Sequence, residues 1–148
     1  MTLRENLEHD LHEAMRQRDA RRKGVLRMAL SAIQTAEATR KEPLPEDEVV
    51  VLLRKEVKRR EEALQMMRDA GREDLVPDEE VELEILRAYM PRMMDESEIT
   101  ELAKEVIAEV DATSPSDMGK VMGALMPRVK GKADGRVVSQ IVRQLLAE

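Results

Sequence analysis

The chain has 148 residues, enough for one domain or for one domain with a small satellite. Hydrophobic residues make up 42% and charged residues 38%, which suits a helical protein with a solvated surface and a core of Leu, Val, Ile, Met and Ala. With no cysteine, disulfides, thiolate metal sites and thiol nucleophiles are excluded, and no apolar run is long enough to cross a membrane.

A net charge of −6 argues by itself against a nucleic-acid binder, but the charge is unevenly spread. Residues 1–94 hold 18 basic and 21 acidic side chains, residues 95–114 hold 1 and 7, and residues 115–148 hold 6 and 3. A basic C-terminal third in an acidic chain fits a localised anion-binding face.

Leu3, Leu7, Leu11, Ala14 and Met15 recur at helical spacing over residues 3–18, with Thr2 and Glu5 placed as a capping box. His9 and His12 lie three apart on this helix, too few ligands to close a metal site, and are expected to be exposed. Asp19 to Gly24 reads as a turn or a helix start. A second helix follows, with Val25, Leu26, Ala29, Leu30, Ile33 and Ala36 inward, and Pro43-Leu44-Pro45 breaks it.

A third helix opens at Pro45. Val49 to Leu53 has strand propensity, but the stripe Val49, Leu53, Val57, Leu64, Met67 continues unpunctuated to Ala70, and Gly71 supplies a stop. Five of the seven residues from Arg54 to Arg60 are basic. They form either a solvated face with ion pairs such as Glu56–Arg60 or an RNA-contacting face. After a linker at residues 72–77, a fourth helix carries Val81, Ile85, Leu86 and Tyr89 inward. Tyr89, the only aromatic residue, is expected to pack and close this unit.

Pro91 ends the fourth helix, and a boundary divides an N-terminal helical domain, residues 1–93, from a C-terminal three-helix domain, residues 94–148. The first helix beyond it buries Ile99, Leu102, Ala103, Val106 and Val110 and has an acidic outer face. Ser114-Pro115-Ser116-Asp117 is a second N-terminal signature. The next helix turns Met118, Val121, Met122, Leu125 and Met126 inward. Gly119 and Gly123 put two bare patches on one face, permitting close helix approach, and Pro127 kinks or ends the helix. Asp134 caps a last helix with Val137, Val138, Ile141, Leu145 and Leu146 as its stripe. The expected fold class is all-α, with about four helices followed by three.

Several stretches carry a family resemblance that covers the whole chain. They are Leu26-Arg27-Met28, Lys58-Arg59-Arg60-Glu61, Ala70 to Leu75, Glu82 to Ile85, Tyr89-Met90-Pro91 and, most specifically, DMGKVMGALMPRVKGKADGRVV from Asp117 to Val138. These resemble the YqeY family, itself similar to the C-terminal tail domain of GatB, the tRNA-engaging subunit of the glutamine-dependent amidotransferase. Met90 stands where the pattern has leucine. The resemblance implies two helical units and a role near tRNA, with tRNA as partner. The amidotransferase chemistry belongs to regions absent here.

Three functions follow as expectations. The first is a tRNA-binding adaptor whose phosphate-facing set is Lys120, Arg128, Lys130, Lys132, Arg136 and Arg143, with the Lys130-Gly131-Lys132 backbone free to approach a phosphate. Without aromatics to stack on bases, recognition would rest on shape and backbone. Asp134 already fills the dipole end of the last helix, so a phosphate fits better beside Lys130 and Lys132. The second is a carbon–nitrogen ligase activity with glutamine as amide donor. There is no cysteine nucleophile, phosphate-binding loop or amidase segment, so no catalytic residue, metal or cofactor is assigned to the chain alone. The third is a protein-interaction module docking on an amidotransferase or synthetase. The N-terminus lacks the apolar centre of a signal peptide, and a cytoplasmic location is expected.

Overall fold

Thr2 holds extended backbone and its side chain accepts a hydrogen bond from the N–H of Glu5, whose carboxylate takes the N–H of Thr2 in return. This capping box starts α1, Leu3–Arg16. The computed structural model describes Met1–Glu148, and helices account for every regular element in it. They are α2 (Ala20–Arg40), α3 (Glu46–Asp69), α4 (Val76–Arg87), α5 (Glu96–Glu109), α6 (Met118–Val129) and α7 (Gly135–Ala147), with a 3-10 turn, Pro115–Asp117, leading into α6.

Each boundary has a local cause. The side chain of Asp19 accepts from the N–H of Arg22, so this segment starts α2 and Gly24 lies inside the helix. Lys41, at φ +62, closes α2 in the left-handed region. Gly71, at φ +71, follows the end of α3. Val49 to Leu53 lies in α3, as the 3.6-residue stripe requires.

The chain divides into two compact units, Met1–Met90 and Pro91–Glu148. In the first, α1 packs on α2, α3 on α4, and α2 on α4. Leu7, Leu26, Ile33, Val49 and Leu53 are essentially inaccessible at its centre. Burying each leucine contributes roughly 1.5–3 kcal/mol. Two polar ties between elements add direction to this apolar packing. The N–H of Leu3 donates to Glu46 Oε1 at 2.8 Å, so a carboxylate from α3 satisfies an open donor at the start of α1. Glu37 accepts from Arg4 at 2.5 Å and from the N–H of Leu44 at 2.8 Å, fixing the turn between α2 and α3.

Two expectations for this unit need correction. The buried row of α4 is Val76, Leu83 and Leu86, whereas Val81 is 45% exposed. Helix α4 starts two residues before the expected acidic turn, and packing against both α2 and α3 turns the Leu83 side inward. Arg60 does not pair with Glu56. It reaches Glu82 on α4 at 3.6 Å, and Arg59 takes Glu56 at 2.6 Å. Both pairings are sterically available on a helix surface, and the nearness of α4 decides between them.

In the second unit α5 packs on α6 and α7, and α6 on α7. Ile99, Val106, Val121, Leu125, Val129, Val138 and Val142 form its core. Helix α5 starts on Asp95, which accepts from the N–H of Glu98. Before α6 the Asp117 carboxylate takes the N–H groups of Thr113 at 2.8 Å and Ser114 at 3.2 Å. Those two bonds, with a smaller contribution from Lys120, hold its carboxyl below the usual range.

Candidate nucleic-acid interface

The basic residues of the second unit sit on α6, on the loop after it and on α7. Pro127 lies inside α6, which runs two residues beyond it to Val129. Lacking an N–H, Pro127 leaves the carbonyl of Gly123 without its helical donor. Gly123 is exposed, so that carbonyl faces solvent. Neither Gly119 nor Gly123 has any atom within 4 Å of where a Cβ would stand. The expected close helix approach therefore does not occur: both glycines lie on the outer side of α6, opposite Val121, Leu125 and Val129.

The loop is pinned from both sides. The N–H groups of Lys132 and Ala133 donate to the carbonyl of Val129 at 2.8 and 3.0 Å, and the N–H of Met94 donates to the carbonyl of Lys132 at 2.8 Å. Gly131 sits at φ +76 and is buried. Its role is the left-handed turn, which only glycine enters without cost. The Lys130-Gly131-Lys132 backbone is thus folded inward, and only side chains are offered to a ligand here. Lys130 is half-buried and Lys132 is exposed.

Helix α7 begins at Asp134, whose carboxylate accepts from the N–H of Arg136 at 2.8 Å. Its inner stripe, Val138, Ile141, Val142 and Leu146, leaves Arg136, Gln140, Arg143 and Gln144 outside. No carboxylate occurs on this helix before Glu148, and neither arginine makes an ion pair. Seven residues separate them, about 10.5 Å along the axis at 1.5 Å per residue.

The six expected phosphate contacts therefore separate into groups. Arg136 and Arg143 share one face of α7. Lys120 and Lys132 are exposed on α6 and on the loop. Arg128 is drawn to the acidic side of α5, with Glu109 at 3.1 Å and Glu105 at 3.9 Å. The Glu105–Glu109 spacing on α5 was the sequence signal for this pairing, because residues four apart on a helix present two carboxylates to one neighbour.

In the first unit the basic run of α3 also splits. Arg54 is half-buried, with its pKa lowered by burial. Arg59 is forked onto Glu56 and Arg60 turns to Glu82. Lys55 and Lys58 remain exposed. The histidines are exposed, and the ring Nδ1 of His9 lies 3.1 Å from Asp10.

A family model described as Yqey-like protein matches residues 4–146. The chain belongs to the YqeY family. Among curated relatives of this YqeY chain, the protein named Altered inheritance of mitochondria protein 41, mitochondrial, from Pyrenophora tritici-repentis is 31% identical over 143 residues, covering 95% of this chain and 78% of the relative. A glutamyl-tRNA(Gln) amidotransferase subunit of Thermococcus sibiricus is 33% identical over 60 residues, 38% of this chain and 10% of that protein. The protein of the same name from Methanobrevibacter smithii is 32% identical over 72 residues, 46% of this chain and 11% of that protein. The likeness to these amidotransferase proteins is thus confined to a short part of much longer chains. No helix of this YqeY chain is long and apolar enough to cross a membrane.

Proposed function

We propose that the chain is a non-catalytic helical adaptor that binds tRNA through the outer face of its C-terminal unit. The observation that carries this reading is the carboxylate-free face of α7, with Arg136 and Arg143 unpaired in a chain of net charge −6. Guanidinium groups along one helix face suit phosphate oxygens, and with no aromatic side chain on this unit the contact is to backbone and shape. Lys120 and Lys132 extend the set, Lys130 flanks it, and Arg128 contributes only after leaving Glu105 and Glu109. The partial likeness to proteins named for glutamyl-tRNA(Gln) amidotransferase supports tRNA as the RNA. A cytoplasmic setting belongs to this proposal, and the word mitochondrial in the fungal relative's name makes the mitochondrion a second setting with tRNA at hand.

Docking on an amidotransferase or synthetase is the second reading. It is favoured by the outer face of α5, where Glu101, Glu105 and Glu109 are exposed. Carbon–nitrogen ligase activity with glutamine as amide donor enters only through such a complex. tRNA binding measured across a salt series tests the first reading. Micromolar or tighter binding at low salt that weakens steeply as salt rises is expected, and no measurable affinity at low salt would overturn it in favour of the second. A pull-down with and without ribonuclease separates the two in cell extract.

A further inference from the structure

In the first unit a groove of about 580 Å³ runs between α2 and α3. Its α2 wall is unusual for a chain that is 38% charged. From Met28 to Ala36 the sequence is MALSAIQTA, without a single charge, and Ser31, Ala32 and Thr35 keep the outer side of the helix shallow. Met28 is 60% exposed on this wall. Its sulfur lies 3.5 Å from the guanidinium of Arg60, which holds the thioether over the groove instead of letting it fold away. Leu52 lines the α3 side. A methionine beside small residues forms an adaptable apolar seat for a helix.

The rim has one sign. Arg27 flanks the α2 wall and Arg59 the α3 wall, with Lys55 exposed one turn from Arg59. The only carboxylate in the lining, Glu56, is already held by Arg59 at 2.6 Å. An occupant must therefore bring an apolar stripe narrow enough for the small residues and acidic side chains at its flanks. RNA matches the rim but gains nothing from an aliphatic floor with no aromatic side chain to stack on. A second copy would have to offer a different surface of itself, a head-to-tail contact that does not close.

We propose that the α2–α3 groove is a docking site for an acidic amphipathic helix of a partner protein, seated on Met28, Ala32 and Leu52 and held by Arg27 and Arg59. The site lies in the first unit and shares no residue with the set assigned to RNA, so it stands or falls separately from the tRNA reading.

The test uses the full chain carrying labelled Met and Ala methyl groups. It is titrated with an 18-residue helical peptide bearing one Ala/Leu stripe flanked by glutamates, and with the same stripe flanked by lysines. The acidic peptide is expected to shift the Met28 and Ala32 methyl signals and to bind at least about tenfold more tightly than the lysine peptide. Ala32→Trp, which fills an exposed groove without touching the core, should abolish the shifts. Arg27→Ala with Arg59→Ala should weaken binding about tenfold with helicity unchanged by circular dichroism. Equal binding of the two peptides, or no shift at Met28 and Ala32 with the acidic peptide at millimolar concentration, would overturn the proposal. It would also be overturned if total tRNA moved these methyl signals and the acidic peptide did not, or if the groove signals broadened with protein concentration through self-association.

Discussion

The hydroxyl of Tyr89 donates to the Asp10 carboxylate at 2.5 Å, joining the end of α4 to the middle of α1. Arg22 of α2 completes the link. Its guanidinium donates to the tyrosine oxygen at 2.8 Å, lies 3.6 Å from Asp10, and sits 5.9 Å from the ring centre. The single aromatic residue thus closes the first unit as its position suggests, by a polar tie among three helical segments as well as by packing. Tyr89→Phe keeps the ring and removes the tie. Because Asp10 and Arg22 are each about one-third exposed, water repairs part of the loss, and a cost of about 1 kcal/mol is expected in denaturant unfolding.

The same contact sets a pH dependence. The Tyr89 hydrogen bond is the largest influence holding the Asp10 carboxyl below its ordinary 3.8. A lowered folded pKa contributes stability above the unfolded value and loses it as pH falls through the folded one. The advantage of the parent over Tyr89→Phe should therefore be full above about pH 4 and shrink below it. Tyr89 itself is pushed up to about 12, first by burial and then by Asp10. That raised pKa adds stability below the ordinary 10.0, lost as pH rises toward 12. With no other tyrosine and no tryptophan, absorbance at 295 nm should read this titration directly, and a midpoint near 10 in the folded protein would contradict the contact.

Glycines on either side of Pro127 should respond oppositely to alanine. Gly123→Ala meets no atom and removes a helix-weakening residue, so it should stabilise by about 1 kcal/mol. Gly131→Ala forces a Cβ into a left-handed, buried turn and should destabilise by about 1–2 kcal/mol. Thermal melts of the two variants check both signs.

Charge reversal should locate the RNA face. Arg136→Glu with Arg143→Glu is expected to weaken tRNA binding more than Lys55→Glu with Lys58→Glu. Each lost contact should also remove roughly 0.7–0.9 from the slope of log affinity against log salt. Arg128→Glu should do less, because its partners are already Glu105 and Glu109. Fold integrity should hold, since exposed substitutions away from the cores usually move stability by about 0.5 kcal/mol or less. Unchanged slopes in the α7 double variant, with a reduced slope in the α3 one, would move the interface to the long helix.

The two cores offer a separate check. Leu53→Ala and Leu125→Ala each empty a fully buried site and should cost about 2–5 kcal/mol. Hydrogen exchange should rise in α1–α4 for the first and in α5–α7 for the second.

The sequence by itself determined the all-helical fold, the capping boundaries at Thr2, Asp19, Asp95 and Asp134, and most buried positions. These depend on neighbours within one or two turns: a 3.6-residue apolar stripe and a side chain reaching an N–H three residues on. The family also followed from local strings such as the segment Asp117–Val138. Only tertiary structure decided which partner a long side chain takes and which outer face is covered. Arg60 chose Glu82 over Glu56, Arg128 chose α5, and Gly119 and Gly123 stayed bare because no helix comes near them. A helix pattern fixes the direction in which a residue points, but an arginine spans several ångströms beyond its Cα. Whether a carboxylate, another helix or only solvent stands there is set by packing between elements distant in sequence.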